Sequence, residues 1–327
     1  MKSVLAVILA SLAAARLAGQ PAAIAVVEKK AGVVAFYTDD GKRAGEVKVE
    51  SFPHEIIFSP DRRSLYVTNN GLLWMTDPGE GHNTISIVEL ASRRQVGVIN
   101  LGSYRRPHGL ALLPRSGHFV VTIENPHGLL LVDPAARKVL RNYDVKGQNP
   151  HMVVLGPRGE TAYVSNANSG AVAVVNLASG NVEKLIPTGQ NPQGGVLTRD
   201  GRRIYLTNAA SNTISIIDTE KNEVSGEIKT GENPARIALT PDEKTLVYNL
   251  QRGEGIGFAD VGARKQVAEV RLPGRPLSLA LTPDGRTAYL GLQDSDKIAV
   301  VSVAERKILR IIATPAGAGP DSVLPLQ

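Results

Sequence analysis

The sequence predicts an all-β protein, a seven-bladed β-propeller with four-stranded antiparallel blades. Three observations carry that prediction. A proline-anchored segment recurs at a nearly constant interval. Each interval divides into four short strands separated by turn chemistry. The two ends of the chain together supply the strands of one further blade.

Taken from the N-terminus, Met1-Lys2 and the apolar run Val4–Ala15 read as a secretory signal peptide, because the run is too short to span a bilayer. Cleavage is expected between the Ala13–Ala15 triplet and Gly19, with a single domain from residue 20 to 327. Leu17-Ala18-Gly19 resembles the start of a lipoprotein signal, but Gln20 stands where the lipidated cysteine would be. The mature protein is therefore expected to be exported, periplasmic or secreted, without a transmembrane segment.

The anchoring prolines are Pro53, Pro107, Pro150, Pro192, Pro234, Pro276 and Pro320, at spacings of 54, 43, 42, 42, 42 and 44. Each opens a pattern of X-Pro, an apolar stretch, Pro-Asp-Gly-Arg or a variant, then Tyr-Val-Thr-Asn. In the fourth copy the strands are Gly194–Thr198, Arg203–Thr207, Thr213–Asp218 and Glu223–Lys229. Their β-branched residues favour extended chain, and Gly, Asp, Asn and Pro bound them. A solenoid or a large sandwich would also be built of such units, but the ends favour a closed ring. Asp321–Gln327 offers one strand, and Ala22–Val27, Val33–Tyr37 and Glu46–Glu50 offer three. Joined, they complete the seventh blade and pair edges that would otherwise be open.

The repeat resembles the YVTN (YncE-like) family of propellers. Tyr66-Val67-Thr68-Asn69 is the name motif, Tyr163–Asn166 and Tyr205–Asn208 are close copies, and Ser211–Thr219 and Thr282–Arg286 fit the pattern. Val247–Leu250 and Tyr289–Leu292 depart from it. The resemblance implies the fold and an extracytoplasmic setting. It implies no single activity, since the fold hosts lactonases, lyases, redox enzymes and binding scaffolds.

Strand alternation puts the loop entering each innermost strand on the same face, the top, as the loop between strands two and three. The residue after each proline then stands at the mouth of the central channel. Round the ring these are His54, His108, His151, Gln193, Ala235, Leu277 and Asp321, so a polar arc from Asp321 to Gln193 faces two apolar residues. Glu124 and His127 belong to a neighbouring top loop. The first unit carries a 12-residue excess within Gly71–Asn83, which holds Trp74, Asp77, Glu80 and His82 and is expected to overhang the mouth.

Three imidazoles at one depth suit a divalent transition metal (Zn, Cu, Fe or Ni), so His54, His108 and His151, with Glu124, are candidate ligands. Without metal, His108 and Glu124 are candidate acid–base groups. Trp74, Arg106, His127, Gln193, Arg275 and Asp321 are candidate ligand-binding residues. The bland reading of a Pro-His pair is loop chemistry copied by duplication. For the Tyr and Asn of the motif, and for Asp200-Gly201 and Asp284-Gly285, the structural role is the better one. Lys29-Lys30 and Arg202-Arg203 are expected to be solvated edges.

Composition narrows the function. The chain has no cysteine, which removes disulfides, thiolate metal sites and cysteine nucleophiles. The net charge of +6 falls by two without Lys2 and Arg16, and the basic residues are scattered among few aromatics, so nucleic acid is not expected as a partner. The sequence therefore points to a binding protein with a His-rich pocket for a metal ion or small ligand. The alternatives are a propeller enzyme of lactonase or lyase type, and an envelope scaffold binding another protein. The Pro-His and Ser-Pro-Asp starts are similar to those of propeller lactonases, with no catalytic residue matched.

Overall fold

Runs of Val, Ile, Leu and Tyr ended by Asp, Asn or Gly become the strands, because branched and aromatic side chains pack on a pleated surface and the short polar residues close the turns. The computed structural model describes residues 22–327; the expected signal segment lies outside them. Seven four-stranded antiparallel sheets are formed, and in six of them the strands follow one another in chain order from the axis outward. In the fourth blade they are Pro192–Leu197, Arg203–Asn208, Thr213–Asp218 and Glu223–Lys229. Among the described residues there is no α-helix, only the 3-10 turns Ala167–Ser169 and Gln293–Ser295.

The seventh sheet joins the two ends. Its innermost strand, Pro320–Pro325, pairs with Ala22–Glu28, which places Val323 opposite Val26 and Leu324 opposite Ala25. Val33–Thr38 and Arg43–Lys48 follow outward. The last strand starts earlier than the expected Glu46–Glu50, because a bulge beside Tyr37 brings Arg43 into register.

The core lies between blades. Tyr66, Ile85 and Ile99 of the first blade pack against Phe119, Val121 and Ile123 of the second, with the Tyr66 and Phe119 rings 5.3 Å apart. Equivalent seams recur round the ring, so each blade buries both faces while its fourth strand stays half in solvent, as the exposed Leu140 and Leu309 show.

Two conserved-in-position devices hold the repeat. In the bottom turns a Thr or Ser hydroxyl donates to an Asp carboxylate, which accepts the amide two residues on. Thr198 Oγ1 donates to Asp200 Oδ1 at 2.6 Å, the Arg202 amide donates to the same oxygen at 3.0 Å, and Thr282, Asp284 and Arg286 repeat the pattern. Gly201 in that turn has φ +72°, and a Cβ would stand 2.1 Å from Pro157. These aspartates are turn residues, as their sequence context indicates. In the motif, Asn69 Nδ2 donates to Thr84 and Ser86 hydroxyls and Asn208 Nδ2 to Thr213 and Ser215, all buried.

The motif threonine works between blades. Thr122 Oγ1 donates to the His151 carbonyl at 2.8 Å, and Thr207 Oγ1 to the Ala235 carbonyl at 2.7 Å. Each stitch fixes the height of the channel residue in the next blade, which is how a structural motif comes to position the site.

Candidate functional site

Two ring-wise positions build the mouth of the channel. The first is the residue after each anchoring proline. The second is the residue after the motif's fourth position: Lys29, Asn70, Glu124, Ala167, Ala209, Gln251 and Gln293. Members of both sets, together with the strap Leu72–Met75, line one pocket of about 220 Å³.

Of the sequence-derived candidates, His54, His108, His151, Glu124, Trp74, Gln193, Arg275 and Asp321 all line this pocket. His127 does not; it is exposed at a hairpin tip. Arg106 stands behind the lining, where Nη2 lies 2.8 Å from Glu124 Oε2 and donates to the Met75 carbonyl at 2.6 Å. It thus ties the strap to the second blade. His82 turns to Glu50 at 2.7 Å, Asp77 accepts the Trp74 amide at 2.9 Å, and Glu80 meets Arg105 at 3.3 Å.

Lys29 corrects the expectation of a solvated edge. It is 4% exposed and lines the pocket, because its strand is the second of the closing blade and its side chain turns inward at the top. Lys30, Arg202 and Arg203 remain exposed.

The imidazoles are packed together. The His54 and His108 ring centroids are 4.1 Å apart at 81°, and those of His108 and His151 are 4.1 Å apart at 43°. His54 Nδ1 lies 2.6 Å from Asp321 Oδ2, a carboxylate that fixes the ring and its tautomer. His108 Nδ1 and His151 Nδ1 are buried without a hydrogen-bond partner, as is Asp321 Oδ1. Leaving such groups unpaired costs free energy that a polar ligand would recover.

Burial, then the neighbouring charges, sets the protonation states. Desolvation holds His108 well below the usual imidazole range, reinforced by His151, His54, Arg236 and Lys29. His151 is lowered in the same way by desolvation, Arg236, His54 and Lys29. Both are neutral at pH 7 and available as metal ligands or hydrogen-bonding groups. Burial pushes the Glu124 carboxyl up to about 7, against the pull of Arg106 and Lys29. Burial would raise Asp321 too, but the charges of His54, Lys29 and Arg236 outweigh it and keep it ionised.

Sequence reasoning missed three residues besides the inward turn of Lys29. Arg236 of the fifth blade reaches across the channel to Glu55 of the first, whose other oxygen accepts from Ser322 Oγ at 3.1 Å. Asn249 Oδ1 accepts the Arg236 amide at 2.6 Å and holds its backbone. The signal was one residue further along: two after each proline, Glu55 and Arg236 are the only charges. Their pair separates the mouth from a second cavity of about 200 Å³ lined by Met152, Gly194, Ser278 and Ser322.

His54, Glu55 and His108 each have one donor atom within 4.8 Å of the others, a grouping that could hold a metal ion. His151 and Glu124 stand outside that set and border it.

A family model described as a YNCE-like beta-propeller matches residues 157–324, and one described as a choice-of-anchor I domain matches residues 10–196. No curated protein matches the chain. Among solved structures, the periplasmic gluconolactonase PpgL of Pseudomonas aeruginosa is 18% identical with a TM-score of 0.74, covering 93% of this chain and 98% of that one. Dihydro-heme d1 dehydrogenase NirN is 17% identical with a TM-score of 0.69, covering 95% of this chain and 78% of that one. A functionally unknown protein from Desulfotomaculum acetoxidans is 13% identical with a TM-score of 0.79, covering 93% and 98%. At these identities the likeness is one of fold.

Proposed function

The chain belongs to the YNCE-like β-propeller family, and from that premise we propose that it is an exported binding protein whose top pocket holds a divalent transition metal. The observation that carries the reading is the donor set His54, Glu55 and His108 within 4.8 Å. Asp321, 2.6 Å from His54 Nδ1, is the outer carboxylate that ligating histidines usually have. Neutral His108 and His151 need lose no proton to bind an ion. Such a site keeps open coordination positions, facing a pocket closed on one side by Trp74.

Metal content is the test. The tag-free mature protein, reconstituted with Zn, Cu or Ni and dialysed, is expected to retain one ion per chain by mass spectrometry. The double variant His54→Ala/His108→Ala retains none, and Asp321→Asn weakens binding about 10- to 100-fold. A wild-type protein that keeps no stoichiometric metal sinks the reading.

One observation favours a second reading, an enzyme without metal. The Asp321–His54 pair has the form of an oriented general base, and the fold neighbour PpgL is a gluconolactonase. In that case lactone opening by the metal-free protein disappears in His54→Ala. The apolar run at Val4–Ala15 supports export.

A further inference from the structure

The pocket carries a demand that neither imidazole chemistry nor a metal meets. Lys29 is 4% exposed and faces the pocket, yet its nearest acceptors, Asp321 Oδ2 and His54 Nδ1, both lie 3.4 Å away. Charge-assisted hydrogen bonds ordinarily close to about 2.7–2.9 Å, and an ammonium has three donors to place. Arg236, 9% exposed, uses Nη2 for Glu55 and lines the same pocket. Two buried cations therefore share one small space with Glu55 and Asp321, and of the two it is the Lys29 ammonium that has no close partner, which is costly.

Part of the lining is apolar. Leu72, Trp74 and Met75 of the strap contribute to it, and so does Leu277 of the sixth blade, which lies between the blades of Arg236 and Lys29. The Trp74 ring stacks with Arg275, another lining residue, whose guanidinium carbon lies 4.7 Å from its centroid. The Arg236–Glu55 pair divides this pocket from the second cavity, so a ligand lies above it, within reach of both cations and of these apolar side chains. The volume of about 220 Å³ is below the range of drug-sized sites and limits the occupant to one small molecule.

We infer that the pocket takes a small organic carboxylate, its oxygens accepting from Lys29 and Arg236 and its carbon skeleton lying against Trp74 and Leu277. An inorganic anion would leave the apolar side chains unused, and a neutral molecule would leave Lys29 without a close acceptor. The inference rests on the pocket reading but not on the metal, since both cations belong to the chain itself. With a metal present, the same carboxylate would be placed beside the ion's open positions.

The chain's single tryptophan is the reporter. Trp74 fluorescence is titrated with benzoate, benzyl alcohol and inorganic phosphate, on the folded chain with and without prior EDTA dialysis. Benzoate is expected to give a saturable change in both preparations, with benzyl alcohol and phosphate at least tenfold weaker. Lys29→Met is expected to weaken benzoate at least tenfold. Should that variant fail to fold, Leu277→Glu keeps every ion pair and sets a negative charge at the apolar end, with the same expected loss. Equal responses to benzoate and benzyl alcohol, phosphate as tight as benzoate, or benzoate binding unchanged in both variants would overturn the inference. Stoichiometric metal with no benzoate response overturns it and leaves the metal reading standing. Benzoate binding without metal retention does the reverse.

Discussion

The two halves of the channel mouth use the same backbone and carry opposite chemistry. On blades one to three the residue after the proline is His54, His108 or His151; on blades five and six it is Ala235 or Leu277. The stitches beneath them are alike: Thr122 holds the His151 carbonyl and Thr207 holds the Ala235 carbonyl at nearly equal distances. Geometry is thus repeated, while side-chain chemistry is concentrated on one arc. A purely architectural ring gives no reason for that asymmetry, whereas a ligand held on one side with an apolar wall opposite does.

The largest expected effect tests whether the halves depend on each other. Arg236 comes from the plain half and Glu55 from the polar half, and both side chains are nearly buried. Arg236→Leu leaves Glu55 unpaired at the channel centre and should destabilise the protein by about 3–5 kcal/mol in urea unfolding. The double variant Arg236→Leu/Glu55→Leu should recover most of that loss. If the single variant costs nothing, the two halves are not coupled through the axis.

The next effect is pH dependence, which the plain half cannot show. Folded His108 and His151 sit below their unfolded value of about 6.5. Their contribution to stability is therefore fully present above about pH 6.5 and is lost as the pH falls below it, since the unfolded chain then binds more protons. Glu124 acts with opposite sign. Raised to about 7, it contributes fully below its unfolded value of about 4.3, and that contribution is lost as the pH rises through 7. In unfolding curves collected from pH 8 to 5, a His108→Gln/His151→Gln variant should lose less stability on acidification than the wild type. Identical profiles would mean that burial does not hold these rings neutral.

The smallest effect separates position from chemistry. Thr122→Val and Thr207→Val each remove one stitch and should each cost about 1 kcal/mol. Only Thr122→Val should also weaken metal retention, because Thr122 Oγ1 also accepts the Gly109 amide at 2.8 Å, beside the donor His108. Equal effects on the site would show that the stitches set the whole ring and not individual residues.

How much of this was legible in the sequence follows from the same division. The prolines recur in every blade, and the polar turns and motif threonines in several of them, so their spacing declared the ring and its closure by the two chain ends. The histidine arc was legible because it occupies one repeat position, next to a recognisable proline. Arg236 and Glu55 were not, since nothing in either local segment shows that the two face each other across the axis. Lys29 lies in a Lys-Lys pair whose polarity suggests solvent, and only the closing blade's geometry turns one inward and the other out. His127 misled for the converse reason: a short hairpin tip brings it to the top face but beyond the pocket rim.

The closing blade has a consequence for when the site can exist. Lys29 lies near the start of the described chain and Asp321 near its end, and they meet across a 3.4 Å gap beside His54. A nascent chain can build its middle blades, seams and turns with no trace of the arc's charged corner. The corner formed by Lys29 and Asp321 is therefore complete only when the two ends pair, and a nick or truncation that frees Pro320–Pro325 would remove it while most of the ring's sheets stay intact.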